Sequence, residues 1–325
     1  MATEEESNLR KGLNLEGLIQ NLDRVEDIDY WRRINPTASI SEYPFRGLEN
    51  SQTVSPEVLE SQAAWLREEG YFQTDPMVPA AMLREMVECI DVVRKAGFPP
   101  LFALVYDAFH VAFRHFHPII KNIIGETYYI IPNYWVYYIE PSDAGKGFEP
   151  HRDAEYPDTI DASGMPTVIT LWVAVTDATP LNSCMYLVPS NRDPDYAGAV
   201  GGLRTEATRF ALEDVRALPT KAGTLSCWDQ YVYHWGSRSS KRAGPPRVSY
   251  AVYCQRGDMP PVDDALIDLQ SPLDFKTRLG LIFRGIHRYS YLGLQRSDQS
   301  GPLLEVIDRY MAVLKRAGDW KQGRS

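Results

Sequence analysis

The apolar residues of the first third of the chain recur with the period of an α-helix. In the segment AAMLREMVECIDVVRKAG, Leu83, Met86, Val87 and Ile90 follow the i, i+3, i+4, i+7 spacing that puts side chains on one face of a helix. Gly97 follows this segment and favours the end of the helix, since glycine readily adopts the left-handed conformation found there. The pattern therefore predicts a helical N-terminal part.

Near residue 130 the helical periodicity gives way to short runs of aromatic and β-branched residues, which are typical of strands. These runs are YYIIPNYWVYYIEP, PTVITLWVAVTDA, SCMYLVPS, AGTLSCWDQYVYHWG and RVSYAVYCQRG. Polar loops that carry Gly and Pro separate them. Many short strands with no helices between them predict an antiparallel sandwich or barrel rather than a parallel sheet.

The last part of the chain returns to a helical pattern. In PLLEVIDRYMAVLKRAG, one helix face carries Leu303, Ile307, Tyr310, Met311 and Leu314. The chain has no internal repeat and no low-complexity linker, so the sequence predicts a single domain. Its predicted parts are a flexible N-terminal arm at residues 1–20, a helical part at 21–128, a β core at 129–260 and C-terminal helices at 261–325.

Composition and charge narrow the classes of function. The chain has 325 residues, of which 44% are hydrophobic and 24% charged, so it can bury a large core. A net charge of −9 argues against binding to a nucleic-acid backbone. No apolar run is long enough to cross a membrane, and the acidic N-terminus lacks the apolar stretch of a signal peptide. We expect a small-molecule partner, and the sequence leaves the oligomeric state open.

Cysteine usage indicates the compartment. The four cysteines are far apart and form no C-x-x-C pair, which argues against a zinc knuckle. Without a secretory signal, we expect them to be reduced thiols in a cytoplasmic protein.

The stretch FEPHRDAEYPDT contains His151, Arg152 and Asp153, which admit two interpretations. His-Arg-Asp is the tripeptide of a protein-kinase catalytic loop, but that loop requires an Asn five residues after its Asp, and Asp158 stands there. No glycine-rich G-x-G-x-x-G loop precedes the tripeptide, and strands follow it where a kinase has a helical lobe. The sequence therefore excludes a kinase.

The second interpretation is an iron site. Non-haem Fe(II) oxygenases hold their metal by two His and one carboxylate, which leaves further coordination positions open. Residues two apart in a strand point to the same side, so His151 and Asp153 can face one interior. The third ligand must then be a distant His. His234 lies at the end of a strand, just before a Gly-Ser loop, whereas His287 lies in a segment that is helical or irregular; we choose His234.

Such an enzyme also needs an anchor for its acidic cosubstrate, 2-oxoglutarate. The strand RVSYAVYCQR carries Arg247 and Ser249 two residues apart, so both can face the same interior. A guanidinium can bind the far carboxylate through two parallel hydrogen bonds. Ser249 either helps to bind the carboxylate or simply packs within the strand, and the sequence favours neither role. Arg238 and Arg242, in the preceding loop, are weaker candidates for the anchor.

This layout resembles the phytanoyl-CoA dioxygenase-like family of Fe(II)/2-oxoglutarate-dependent oxygenases. The segments that carry the resemblance, within residues 60–260, are LREEGYFQTD, TLWVAVTDATPLNSCMYLVPSNRD and AGTLSCWDQYVYHWGSRSS. The resemblance implies a mainly β fold with flanking helices and a double-stranded β-helix (jelly-roll, cupin-like) core. It also implies iron held by His151, Asp153 and His234, and 2-oxoglutarate held by Arg247.

Trp172 occupies the place of a family Trp beside the cosubstrate, although core packing explains it equally well. The sequence departs from the family pattern at Ser183, where a Gly is usual, and at Thr224, where an Asp is usual. By resemblance, the enzyme uses O2 to oxidise an unactivated C–H bond of a small molecule or secondary metabolite, with succinate and CO2 as co-products. Hydroxylation is the main expectation, with desaturation, epoxidation or cyclisation as alternatives. A metal-binding cupin-like isomerase or binding protein remains the alternative from another class.

Overall fold

Two antiparallel β-sheets form the centre of the structure, a computed structural model that describes residues 14–48, 53–142, 145–202, 209–289 and 301–318. The strands in chain order are β1 (Tyr71–Gln73), β2 (Tyr128–Ile139), β3 (Val168–Ala174), β4 (Met185–Val188), β5 (Arg216–Leu218), β6 (Leu225–Asp229), β7 (Tyr233–Gly236), β8 (Arg247–Arg256) and β9 (Ile267–Asp268). The larger sheet has the order β1-β6-β3-β8-β2-β9, and the smaller one has the order β5-β4-β7.

Helices precede and follow this β region. In chain order the α-helices are α1 (Leu15–Gln20), α2 (Ile28–Ile34), α3 (Pro56–Glu69), α4 (Ala80–Lys95), α5 (Ala108–Val111), α6 (Phe113–Ile124), α7 (Tyr196–Val200), α8 (Phe275–Tyr289) and α9 (Gly301–Gly318). Among the described residues, no helix is both long and apolar enough to span a membrane.

The larger sheet is buried on both faces. Successive residues along each strand point to opposite faces of the sheet. On β8, Val248, Tyr250 and Val252 pack into the main hydrophobic core with the helices, whereas Ala251 and Tyr253 face the opposite way and line a cavity. Burying one large apolar side chain stabilises the fold by about 1.5–3 kcal/mol. The helices therefore hold the outer face of the sheet, and its inner face is left for the site.

The inner face packs against the smaller sheet. A second apolar cluster joins Trp172 of β3 and Trp228 of β6 to Met185 and Leu187 of β4 and to Leu218 of β5. Two facing antiparallel sheets of this kind are a jelly roll, and they do not close into a barrel. The predicted double-stranded β-helix core with flanking helices is confirmed.

Two details differ from the sequence expectations. β1 lies inside the part predicted as helical; it is an edge strand of the larger sheet and pairs with β6 directly after the left-handed Gly70. Three residues are too short for a periodic pattern to show. The predicted arm at 1–20 falls mostly outside the described residues. Its described end is helix α1, in which Leu18 is fully buried.

The smaller sheet is extended by the segment that leads into the His-x-Asp motif. The backbone N–H of Gly236 donates to the Phe148 carbonyl at 2.9 Å, and that of Gly147 donates to the Ser237 carbonyl at 3.1 Å. The backbones of Gly147 and Gly236 lie in close contact. A Cβ on Gly147 would lie 2.4 Å from the Gly236 Cα, and a Cβ on Gly236 would lie 2.5 Å from the Gly147 Cα. Only residues without a side chain fit at this crossing.

We expect Gly236→Ala to lower the free energy of unfolding by about 1–3 kcal/mol, because the added methyl must push two backbones apart. The measurement is urea unfolding followed by circular dichroism. Gly244→Ala is the matched control, since no atom lies within 4 Å of its added Cβ. Equal stability of the two variants would show that the backbones are not packed this closely.

Candidate active site

A backbone bridge brings two histidines face to face. The N–H of His151 donates to the His234 carbonyl at 3.0 Å, and the N–H of His234 donates to the His151 carbonyl at 2.9 Å. The two ring centres are 4.3 Å apart. Asp153 joins them, with its carboxylate oxygens 3.3 Å from His151 Nε2 and 3.8 Å from His234 Nε2. One ligand atom from each of the three residues lies within 4.8 Å of the others.

Both imidazoles have a defined tautomer. Nδ1 of His151 donates to the Glu149 carbonyl at 2.6 Å, and Nδ1 of His234 donates to the Val232 carbonyl at 3.0 Å. A carbonyl only accepts, so the proton of each neutral ring sits on Nδ1. The lone pairs of both Nε2 atoms are therefore directed towards Asp153. Two bare imidazole nitrogens and one carboxylate form a donor set that suits a divalent transition metal.

Three donors hold the Asp153 carboxylate. Its Oδ2 accepts from the Thr170 hydroxyl at 2.7 Å and from the Trp228 indole N–H at 3.1 Å, and its Oδ1 accepts from the Tyr253 hydroxyl at 2.8 Å. Thr170 in turn accepts from the Gln230 amide at 3.0 Å. The carboxylate is thus held as an anion in one orientation, as a metal ligand must be.

The same contacts set the protonation states. Burial acts to raise the pKa of the Asp153 carboxyl, but His234, His151 and the Thr170 hydroxyl outweigh it and hold that pKa below its ordinary value. Burial lowers the pKa of His234 to about 4, against the opposing charge of Asp153. At neutral pH the site therefore holds an ionised carboxylate beside a neutral imidazole, both in the state that binds a metal.

The three side chains open into a cavity of about 1230 Å³ between the two sheets. Six strands contribute to its wall, for example through Asn133, Trp172, Met185, Trp228, His234 and Arg247. A cavity of this size takes more than one small molecule.

A buried cation lies in the same wall. The Arg247 side chain is 1% exposed and donates to the Ser249 hydroxyl at 3.0 Å. Its guanidinium lies over the rings of Tyr137 and Trp172, at 5.2 and 5.5 Å from their centres. Within the described ranges, no carboxylate forms an ion pair with it, and burial lowers its pKa to about 10. A buried cation without an anion is costly, and an anionic ligand in the cavity would offset that cost.

Further unpartnered donors line this cavity. Nε of Arg247, the indole N–H of Trp172 and the side-chain amide N–H of Asn133 are all buried, and none has a hydrogen-bond partner among the described residues. All three are donors, so the group that satisfies them is rich in acceptors. A carboxylate or keto acid meets that requirement.

The match to a family profile shows which protein family the chain belongs to. A profile described as phytanoyl-CoA dioxygenase (PhyH) matches residues 54–244, which is more than half of the chain and contains His151, Asp153 and His234. The chain belongs to the phytanoyl-CoA dioxygenase family. It is an Fe(II)- and 2-oxoglutarate-dependent enzyme, as the members of this family are.

Solved structures agree with the fold of this phytanoyl-CoA dioxygenase family member. The non-haem monooxygenase ThoJ, in its apo form, is 15% identical with a TM-score of 0.54 and covers 78% of this chain and 99% of its own. Its nickel complex is 17% identical with a TM-score of 0.51, with 71% and 98% covered. The epimerase SnoN from nogalamycin biosynthesis is 18% identical with a TM-score of 0.45, with 62% and 84% covered. No curated protein sequence matches the chain.

The other candidates from the sequence lie elsewhere. His287 is exposed on helix α8 and is not among the three clustered side chains that could hold a metal ion. Arg238 and Arg242 are exposed in the loop before β8, while Arg247 and Ser249 are buried together in that strand. Sequence reasoning missed Asn133, which shares a strand with Tyr137; its position two residues from Trp135 was the available signal.

Arg152 was also missed, although it stands between the two motif residues. It points away from them, donates to Asp193 at 2.6 Å and to the Tyr231 carbonyl, and places its guanidinium 5.3 Å from the Tyr233 ring centre. It therefore ties the His-x-Asp segment to the turn that leads into β7. The motif is held from both sides, by the contacts among His151, Asp153 and His234 and by this brace.

We expect the metal-free protein to lose stability as the pH falls from about 6.5 to about 4. In that range His234 is protonated in the unfolded chain but still neutral in the folded one, because burial lowers its folded pKa to about 4 from an ordinary value near 6.5. Through this residue, the free energy of unfolding falls by an amount on the order of 3 kcal/mol across that range. The measurement compares the pH dependence of urea unfolding for the wild type and His234→Gln. Identical pH slopes would contradict the burial of this imidazole.

Proposed function

We propose that this enzyme is a dioxygenase that oxidises, in the first place hydroxylates, an unactivated C–H bond of a small molecule or secondary metabolite. His151, Asp153 and His234 would hold the Fe(II), and Arg247, with Ser249 and Trp172, would hold 2-oxoglutarate. One observation carries the proposal: a cluster of two bare imidazole nitrogens and a carboxylate shares its cavity with a buried arginine that has no carboxylate partner in the part of the chain that the structure describes.

The donor set fits a metal that must leave room for other ligands. Two His and one Asp are three protein ligands, which is the number that keeps positions open for a chelating cosubstrate and O2. The backbone carbonyls of Glu149 and Val232 orient the two rings. Their hydrogen bonds also raise the basicity of the ligating nitrogens.

The rest of the wall fits 2-oxoglutarate. Arg247 offers a fork for the far carboxylate, and the Ser249 hydroxyl, which accepts from Arg247, keeps its own proton free to donate. The unpartnered N–H groups of Trp172 and Asn133 supply further donors. We include Asn133 among the cosubstrate-binding residues on this ground.

When bound, the iron couples the oxidation of 2-oxoglutarate to succinate and CO2 with the oxidation of the substrate C–H bond by O2. The residues of this chain supply position and a dry surrounding. Asp153 stays ionised through its three donors, and Phe148 covers His151, with ring centres 4.6 Å apart. Desaturation, epoxidation or cyclisation would use the same residues. A metal-dependent isomerase or a plain binding protein has no need for the buried Arg247.

We expect Fe(II) and 2-oxoglutarate, added together without oxygen, to produce a visible charge-transfer band, because the keto acid chelates the iron. His234→Ala should abolish the band and iron binding, since one of three protein ligands is lost. The control is His287→Ala, which changes an exposed helix position. A band that survives in His234→Ala would show that the ligand assignment is wrong.

We expect Arg247→Ala to raise the 2-oxoglutarate concentration at half-maximal succinate formation on the order of 100-fold, with a smaller effect on the substrate. Two charge-assisted hydrogen bonds of about 1.5 kcal/mol each account for this factor. Arg247→Lys should recover only part, because an ammonium lacks the fork. Arg242→Ala is the matched control, since its side chain is exposed. The reverse pattern would place the anchor in the loop.

A further inference from the structure

Outside Arg247 and the cluster of His151, Asp153 and His234, most charges in the cavity wall are already paired. Glu155 and Arg288 both line the cavity and form a two-bond ion pair between the segment after the motif and the end of helix α8. Arg152 is paired with Asp193. The charged group that remains there is the acidic Asp158, which is exposed. Apart from Arg247, the described wall therefore offers no arginine whose charge is not already balanced.

The cavity wall is also rich in aromatic rings. Trp135, Phe148, Tyr156, Tyr231 and Tyr233 contribute to its wall. Aromatic faces stack on flat rings and cover apolar surface, and each such contact contributes beyond the buried area. A wall of this kind recognises rings better than it recognises flexible charged chains.

A further polar group of the wall is the hydroxyl of Tyr156. Tyr156 is 8% exposed, lines the cavity, and has a buried hydroxyl with no hydrogen-bond partner among the described residues. A phenol hydroxyl in this position can donate to a carbonyl or ether oxygen of a ligand. Its neighbour along the chain is Glu155, so this donor lies beside the ion pair.

We propose that the cavity takes an uncharged, ring-bearing substrate with an acceptor oxygen for Tyr156, and that Glu155 selects against anionic substrates by neutralising Arg288. This inference rests on the proposed function, because it names the substrate class of that site. It also separates this enzyme from acyl-coenzyme A substrates. Their phosphates would need cations that the described wall does not offer, and Asp158 and Glu155 would repel them.

The test uses the neutral tricyclic ketone xanthone and its anionic analogue xanthone-2-carboxylate as probes, each titrated against the quenching of tryptophan fluorescence. We expect xanthone to bind the wild type at least about tenfold more tightly than the carboxylate does. Glu155→Gln should remove this preference by strengthening carboxylate binding about tenfold, while xanthone binding stays within about twofold. Arg288→Gln is the matched variant, and it should not strengthen carboxylate binding.

Tyr156→Phe tests the acceptor. It should weaken xanthone binding about fivefold, the value of one hydrogen bond, and should leave the binding of 9,10-dihydroanthracene, a tricycle of similar size with no oxygen, unchanged. A loss of affinity for both probes would mean a packing role only and would overturn the acceptor assignment. Because the substitution removes one oxygen and no carbon, a folded variant is expected, and circular dichroism checks this.

Each result decides the inference. Failure of xanthone to bind, equal binding of the two wild-type probes, or displacement of xanthone by free coenzyme A would overturn it. The titrations are run on metal-free protein and, without oxygen, on protein with Fe(II) and 2-oxoglutarate. A charge-transfer band without xanthone binding contradicts only the substrate class, whereas xanthone binding without the band contradicts only the oxygenase.

Discussion

The site depends on one pair of backbone hydrogen bonds, those that join His151 to His234. This bridge extends the smaller sheet by a segment that is otherwise a loop, and it places two imidazoles opposite each other as a cross-strand pair. The position of Asp153 follows from the alternation of side chains, since Asp153 stands two residues after His151. The position of β7, which carries His234, follows from its pairing with β4. The close contact of Gly147 and Gly236 allows the two backbones to meet just beside this bridge.

The cavity carries an energetic cost that ligands can remove. Arg247 is a buried cation without an anion in the described wall, and Trp172 and Asn133 hold buried donors without acceptors. Each unsatisfied group costs on the order of 1–3 kcal/mol. Packing on the outer face of the larger sheet offsets this cost, because the side chains of that face pack continuously against the helices. Function is thus concentrated on one face of a sheet whose other face provides the stability.

The family relationship and the cavity wall answer different questions. Membership in the phytanoyl-CoA dioxygenase family gives the fold and the cofactor chemistry. The substrate depends on the residues that line the cavity, which the fold by itself does not fix. Here the wall combines a paired Glu155 and Arg288, an acidic Asp158 and several aromatic rings. These features belong to this chain, and they are the basis for assigning its substrate class.

The sequence by itself determined the helical flanks, the antiparallel β core and the shared side of residues two apart in a strand, such as His151 with Asp153 and Arg247 with Ser249. These are local properties, because alternation and periodicity depend only on neighbouring residues. The sequence also favoured His234 over His287 as the partner of Asp153, and the structure brings His234 there. The tertiary structure alone decided other distant contacts, namely Arg288 against Glu155 and the brace from Arg152 to Asp193. Such pairings depend on strand register and on how sheets and helices pack, and no local pattern in the chain encodes them.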